Sequence, residues 1–378
     1  MLITSRPTNL AVTGFGAIFT LCLFLRSRQD VDIGLRNYAF LTSPPRSIAD
    51  TQNDTLGFER VFAISLPERT DKRDGIVVGA RVTGFSLEFS DGVRGSAISP
   101  KAMPKNWNPS VGDATLGCWR GHMDVAQKII RENIQSALIF EDDADWDVKL
   151  KEQMYEFAKG AKAVQGTTGV PYSPYGDNWD LLWIGHCGTH ARTELDQMYY
   201  LIPEDPTMIP LEKVYGDHKP DRSATVLSGN KTRMVFQGVG GRCLTGYALS
   251  LRGALKLVMA QSLVGSTTID RGVSGLCSKP KGTFDCIAPW PPFIGTFKDA
   301  GPVDKDSDRV SVSGEARKSA WTRDIAYPVR MNIDRLITKA ATFRPQWPDQ
   351  LPELSRGAGI PEGHAVFLPK DSYGKPAS

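Results

Sequence analysis

The chain has 378 residues, 41% of them hydrophobic, with 45 basic and 42 acidic side chains and a formal charge of +3. That length suits one large α/β domain with extensions. A charge so small and so dispersed excludes a protein built to grip nucleic acid through its phosphates.

In chain order, the first distinctive segment is Leu10 to Leu25, uninterrupted by charge and bounded by Arg6 and by Arg26 and Arg28. It falls just short of the ~17 to 25 residues of a spanning helix, although thin early-secretory bilayers suit short spans. No Ala-x-Ala site follows it, which favours an uncleaved anchor over a cleaved signal peptide. Arg26 and Arg28 outweigh Arg6 on the side then placed in the lumen, against the usual charge asymmetry. The expected layout is a cytoplasmic tail over 1–9, a membrane anchor over 10–25 and a stem over 26–57 containing Pro44 and Pro45. Such a single-pass type II chain would present its folded domain to the lumen of the endoplasmic reticulum or Golgi. Two glycosylation sequons, at Asn53 and Asn230, agree with that placement.

A folded domain is expected over 58–300. Val61 to Leu66 reads as a buried strand, closed by Pro67 and a charged loop from Glu68 to Arg73. Gly84 to Phe89 is a second strand candidate. From Leu116 to Ile134, Trp119, Met123, Ala126, Ile130 and Ile134 recur at three- and four-residue spacing, the mark of an amphipathic helix. Ala137 to Phe140 follows as a short buried strand, Leu150 to Val164 as a helix and Asp180 to Gly185 as another strand. After an irregular stretch from Cys187 to Lys231, Leu244 to Leu249 reads as a strand, with Ser250 capping a helix to about Leu263. Residues 301–378 are charged and rich in Pro and Gly, and read as an extension with a mobile tail. Alternating strands and helices imply an α/β fold.

The chemistry concentrates where the strand from Ala137 ends in Glu141-Asp142-Asp143. Open α/β sheets bind ligands at the carboxyl ends of their strands. Hard cations such as Mn²⁺ or Mg²⁺ need only one or two carboxylates and complete their shells with substrate phosphate and water. If the strand stays extended, Glu141 and Asp143 face one way and Asp142 the other. The plain alternative is a solvated acidic turn. His186, after a strand, is within reach of a cleft. Of the cysteines outside the apolar segment, an odd number, Cys277 and Cys286 are the preferred disulfide, and no Cys/His cluster indicates structural zinc.

Four blocks in matching order make the chain resemble glycosyltransferase family 25. They are Phe62 to Arg69 with Asp71 and Arg73; Gly117-Cys118-Trp119-Arg120-Gly121-His122; Glu141-Asp142-Asp143; and Gly246-Tyr247-Ala248-Leu249 with Gly253, Ala254 and Asp270. Gly121 departs from the pattern, which has Ser before His122. The resemblance implies a GT-A fold, a Rossmann-type mixed sheet flanked by helices. It implies a uridine diphosphate sugar as donor, galactose favoured, and inverting transfer to a glycan, glycolipid or protein hydroxyl. On that basis Asp142 and Asp143 would hold the metal. Arg69, Arg73, His122, Glu141 and Asp142 would contact the donor, and Asp270 would be the catalytic base. Two readings compete with it: a metal-dependent phosphohydrolase, since clustered carboxylates also serve phosphate hydrolysis, and a carbohydrate-binding module whose catalysis has decayed.

Overall fold

A computed structural model describes residues 46–373 apart from 216–219, 221, 223–226, 228, 230, 265–267 and 310–312. The expected tail, the anchor, most of the stem and the Asn230 acceptor lie outside the described residues. No helix among the described residues is long and apolar enough to cross a membrane.

The strands are Arg60–Ser65 (β1), Glu88–Asp91 (β2), Ser136–Glu141 (β3), Ala144–Trp146 (β4), Leu181–Gly185 (β5), His190–Ala191 (β6), Gln197–Ile202 (β7), Arg233–Val239 (β8) and Gly246–Ser250 (β9). Cys286–Trp290 (β10), Ile294–Lys298 (β11), Trp321–Thr322 (β12), Thr342–Phe343 (β13), Leu354–Ser355 (β14) and His364–Leu368 (β15) follow. One mixed sheet runs β15-β7-β8-β10-β5-β9-β3-β1-β2, with β6 paired to β8 beside that path. β1 lies parallel to both β2 and β3, so the ends of β1 and β3 emerge together.

Successive side chains point to opposite faces of a strand, and here both faces are covered. Phe62, Ala137, Ile139, Leu181 and Tyr247 enter one apolar core with Trp119 and Met123, while Ala63, Leu138, Phe140, Leu182 and Ala248 enter another with Ile76 and Phe157. Burial on both faces is why these strands read as continuous apolar runs. The helices are Thr70–Thr83 (α1), Asp113–Arg131 (α2), Leu150–Gln165 (α3), Leu251–Val264 (α4), Ile269–Cys277 (α5) and Ile333–Ile337 (α6). Ser250 Oγ accepts from Gly253 N at 3.0 Å, capping α4 as its sequence suggests.

Several expectations need correction. The charged stretch after β1 is mostly helix, because α1 buries only the narrow stripe Ile76, Gly79 and Ala80. Gly84, at φ 86°, ends it in a left-handed cap with Phe85 N bonded to Ala80 O. Gly84 to Leu87 is therefore a helix cap and loop, and of the expected strand only Glu88 and Phe89 fall in β2. α2 starts three residues before Leu116 and stops at Arg131, where Asn133 at φ 54° closes it. The folded unit begins at Arg46. Leu56 and Phe58 are fully buried, and Tyr175 Oη donates to Leu56 O at 2.5 Å.

The largest correction concerns the region after residue 300. β15 pairs antiparallel with β7, from His364 opposite Leu201 to Leu368 opposite Gln197, and forms an edge of the main sheet. β12 extends the small sheet β12-β11-β4. The buried Asp145 carboxylate accepts from Thr322 Oγ1 at 2.7 Å, Trp146 N at 2.9 Å and Arg330 N at 3.2 Å. Arg330 Nη2 reaches the Asp142 and Ala144 carbonyls at 3.2 and 3.4 Å, and its guanidinium lies over Phe297. Disulfides join Cys187 to Cys243 and Cys277 to Cys286, leaving Cys118 free.

His186 is buried behind the first of these disulfides and is not a cleft residue. Its ring is satisfied in one neutral form: Nε2–H donates to Pro289 O at 2.8 Å and Nδ1 accepts from Gly188 N at 3.1 Å. Burial pulls its pKa from 6.5 down to about 4. The unfolded chain then binds the extra proton first, so this contribution is complete above pH 6.5 and drains away as pH falls toward 4. A shift of that size corresponds to about 3 kcal/mol. Urea unfolding of His186→Gln should show a correspondingly shallower acid loss than the parent; parallel pH curves would refute it. Asp145→Ala should cost about 2 to 4 kcal/mol in the same assay, because it orphans the buried Thr322 hydroxyl and two backbone N–H groups; a cost below about 0.5 kcal/mol, the usual surface range, would refute that anchoring role.

Candidate active site

At the end of β3 the chain does not stay extended. It turns at Asp142 and Asp143 and returns as β4, which pairs with β11. The expected alternation of the three carboxylates is lost, and each meets its own partner. His122 Nε2 lies 3.3 Å from Glu141 Oε1, Lys72 Nζ 3.1 Å from Asp142 Oδ1, and Lys298 Nζ 3.8 Å from Asp143 Oδ2. All three carboxylates line one cleft of about 470 Å³, together with Lys72, His122 and Asp270.

Charge in this cleft is crowded and partly desolvated. Burial pushes the Asp143 carboxyl up to about 6; Lys72 opposes the shift and Glu141 adds to it. One fifth of the side chain still meets the cleft. Burial alone would lower the Lys72 pKa, but Asp143 and Asp142 outweigh it and hold the ammonium above its ordinary value. Burial would likewise lower that of His122, yet Tyr247, Cys118 and Glu141 raise it overall. Tyr247 Oη sits 2.8 Å from His122 Nδ1 and fixes the ring with Nε2 toward Glu141.

Two donor sets offer themselves to a cation. Cys118, His122 and Glu141 bring their ligand atoms within 4.8 Å of one another, but a thiol and an imidazole suit softer ions. Asp142 and Asp143 supply only oxygen, which matches Mn²⁺ or Mg²⁺, and three adjacent carboxylates facing Lys72 and Lys298 leave negative charge for a cation to neutralise.

The expected donor arginines are held in ion pairs, Arg69 in part with Asp308 at the edge of the cleft. Arg69 pairs with Asp71 and Asp308, and Arg73 pairs with Asp91 while lying over Phe89; neither lines the cleft. Lys72, between them in sequence, is the residue that reaches it. Its signal was the same basic stretch, and the period of α1 decides which member points inward. Asp270 lies in the first turn of α5, where Oδ2 accepts from Cys243 N at 3.3 Å. It also lines a second cavity of about 780 Å³ and thus stands at the junction of the two. Asn53 Oδ1 accepts from Thr55 N at 2.8 Å and Gly57 N at 3.1 Å, organising a turn away from the cleft. At Gly121, a Cβ would stand 3.0 Å from Ile64 Cγ2, so glycine lets α2 lie close against β1.

Residues 58–168, from before β1 through α3, match the model of glycosyltransferase family 25 (LPS biosynthesis protein). The chain is 23% identical over 259 residues to procollagen galactosyltransferase 1 of Danio rerio, covering 65% of this chain and 36% of that protein. It is 21% identical over 254 residues to procollagen galactosyltransferase 2 of Mus musculus, covering 62% and 34% respectively. It is also 22% identical over 168 residues to the probable inactive glycosyltransferase 25 family member 3 of Bos taurus, covering 41% and 26%. The chain therefore spans about a third or less of the length of these relatives. The matched segment, less than a third of the chain, contains Lys72, His122 and the whole acidic turn, so the likeness to glycosyltransferase family 25 falls on the strands and helices that build the cleft.

Proposed function

We propose that the protein is a GT-A-type, metal-dependent, inverting glycosyltransferase that moves a hexose, galactose favoured, from a uridine diphosphate sugar to a hydroxyl of a glycan, glycolipid or protein. The observation that carries this reading is the acidic turn sharing one cleft with Lys72 and Asp270 at the ends of β1 and β3. The printed names of the relatives supply the preference for galactose. Asp142 and Asp143 would hold Mn²⁺ or Mg²⁺, which when bound neutralises charge gathering on the departing diphosphate.

The chain's own residues account for the rest. Lys72 adds a fixed positive charge beside the turn, and Tyr247 and His122 orient Glu141. Asp270 occupies the boundary between the two cavities, where a base must stand if the donor fills the first and the acceptor the second. The acceptor oxygen bonds to the anomeric carbon as the bond to the diphosphate breaks, and its proton passes to Asp270. One displacement inverts the centre. The two disulfides support an oxidising compartment, and we assign the domain to the lumen of the endoplasmic reticulum or Golgi, tethered by residues 10–25 in type II orientation.

One observation favours a second reading, binding without turnover: a relative of the chain is described as probably inactive. Measurement of uridine diphosphate release from a nucleotide-sugar panel, with and without acceptor, separates the two. The expected result is Mn²⁺-dependent release that chelation stops and Asp143→Ala abolishes. Asp270→Asn should lower kcat by about 10² to 10⁴, the range for loss of a general base, with little change in the donor KM. Turnover indifferent to chelator would sink the metal assignment, and a fully active Asp270→Asn would remove it as the base.

A further inference from the structure

The second cavity has a lining opposite in sign to the acidic turn. Arg242, Arg271, Arg309 and Arg323 line it against Asp270 as the single acidic residue, Arg309 being shared with the first cleft. Among the described residues none of the four forms an ion pair. Arginines elsewhere do: Arg69 with Asp71, Arg233 with Asp205 and Arg317 with Asp306. Unpaired like charges gathered around one space repel each other and raise the local potential for an anion.

Arg323 is also fixed in place. Its Nη1 donates to Cys187 Sγ at 2.7 Å, its guanidinium lies 4.0 Å from the centre of the Tyr215 ring, and its Nε is buried without a partner. The Cys187–Cys243 disulfide ties down the wall beneath it. Planar forks of this kind match carboxylate, sulfate and phosphate, and one already held in position loses little entropy on binding. None of Glu141, Asp142, Asp143 and Lys72 lines this cavity, so the groups suited to a metal-bound diphosphate lie on the other side of Asp270.

We infer that the second cavity binds an anionic group on the acceptor, a carboxylate, sulfate or phosphate carried by a sugar, and so selects acidic over neutral glycans. The word acceptor rests on the transferase reading; the anion site rests on the arginines alone.

Calorimetry with 4-nitrophenyl β-glucuronide and 4-nitrophenyl β-glucoside, which differ by the carboxylate, tests it on the whole protein without turnover. The glucuronide should bind about tenfold more tightly at low salt, the worth of one charge-assisted hydrogen bond. Arg271→Gln, exposed on α5, should remove most of that preference, as should Arg323→Gln. A 6-phosphorylated glucoside added as a third probe should share the preference and identify the site as one for anions in general; if it binds no better than the neutral glycoside, the cavity is not an anion site of this breadth and the inference fails in that form. Saturating uridine diphosphate should leave the preference intact. Loss of the preference under uridine diphosphate would assign the arginines to the donor and overturn the inference, as would equal binding, or no binding, of both glycosides. A preserved preference in a protein that turns over no nucleotide sugar would sink the transferase reading and leave the anion site standing.

Discussion

The cleft depends on how one buried carboxylate is satisfied. Asp145 cannot leave its oxygens unpaired in the interior, and the group that meets it, Thr322, lies 177 residues further along the chain. That pairing presses the segment from Trp321 to Arg330 against β4. Arg330 then braces the carbonyls on either side of the turn, and the turn in turn sets the separate directions of Asp142 and Asp143. The acidic tract supplies ligand chemistry, but its geometry is imposed from the far end of the fold. The family match ends at residue 168, so Thr322, Arg330 and the four arginines of the second cavity lie outside the segment that the family model covers.

The strands through the middle of the sheet were legible because burial on both faces leaves continuous apolar runs, as in Leu181 to Ile184 and Leu138 to Phe140. α2 was legible for the complementary reason: a broad apolar face with a charged back. α1 was not, since a helix that buries only three of its residues looks like a charged loop. β15 was missed because it is an edge strand with most of its side chains exposed, so no periodic apolar signal marks it, and what holds it is its backbone pairing with β7. The carboxylates, His122 and Asp270 could be singled out from residue type and order alone. Their partners could not. Lys298, Arg330 and the four arginines reach the cavities through tertiary contacts that carry no local pattern, and Arg69 and Arg73 were plausible until nearer carboxylates claimed them.

Two cavities of opposite sign that share Asp270, Cys243 and Arg309 make a simple division of labour. The acidic side suits a cation and the phosphates that follow it; the basic side suits an anion that must not enter the first. Asp270 is held between them by the Cys243 N–H, and Cys243 is itself cross-linked to Cys187. The boundary is therefore covalently fastened to the loop that ends β5.

Gly121 shows how packing restricts one position beside the cleft. With Ile64 Cγ2 only 3.0 Å from where its Cβ would stand, a serine fits at position 121 only if the isoleucine gives way, and Ile64 itself lines the cleft. The two positions are thus an epistatic pair. Placing a side chain at position 121 requires a smaller residue on β1 or a shifted isoleucine, and that requirement is set by packing rather than by catalysis.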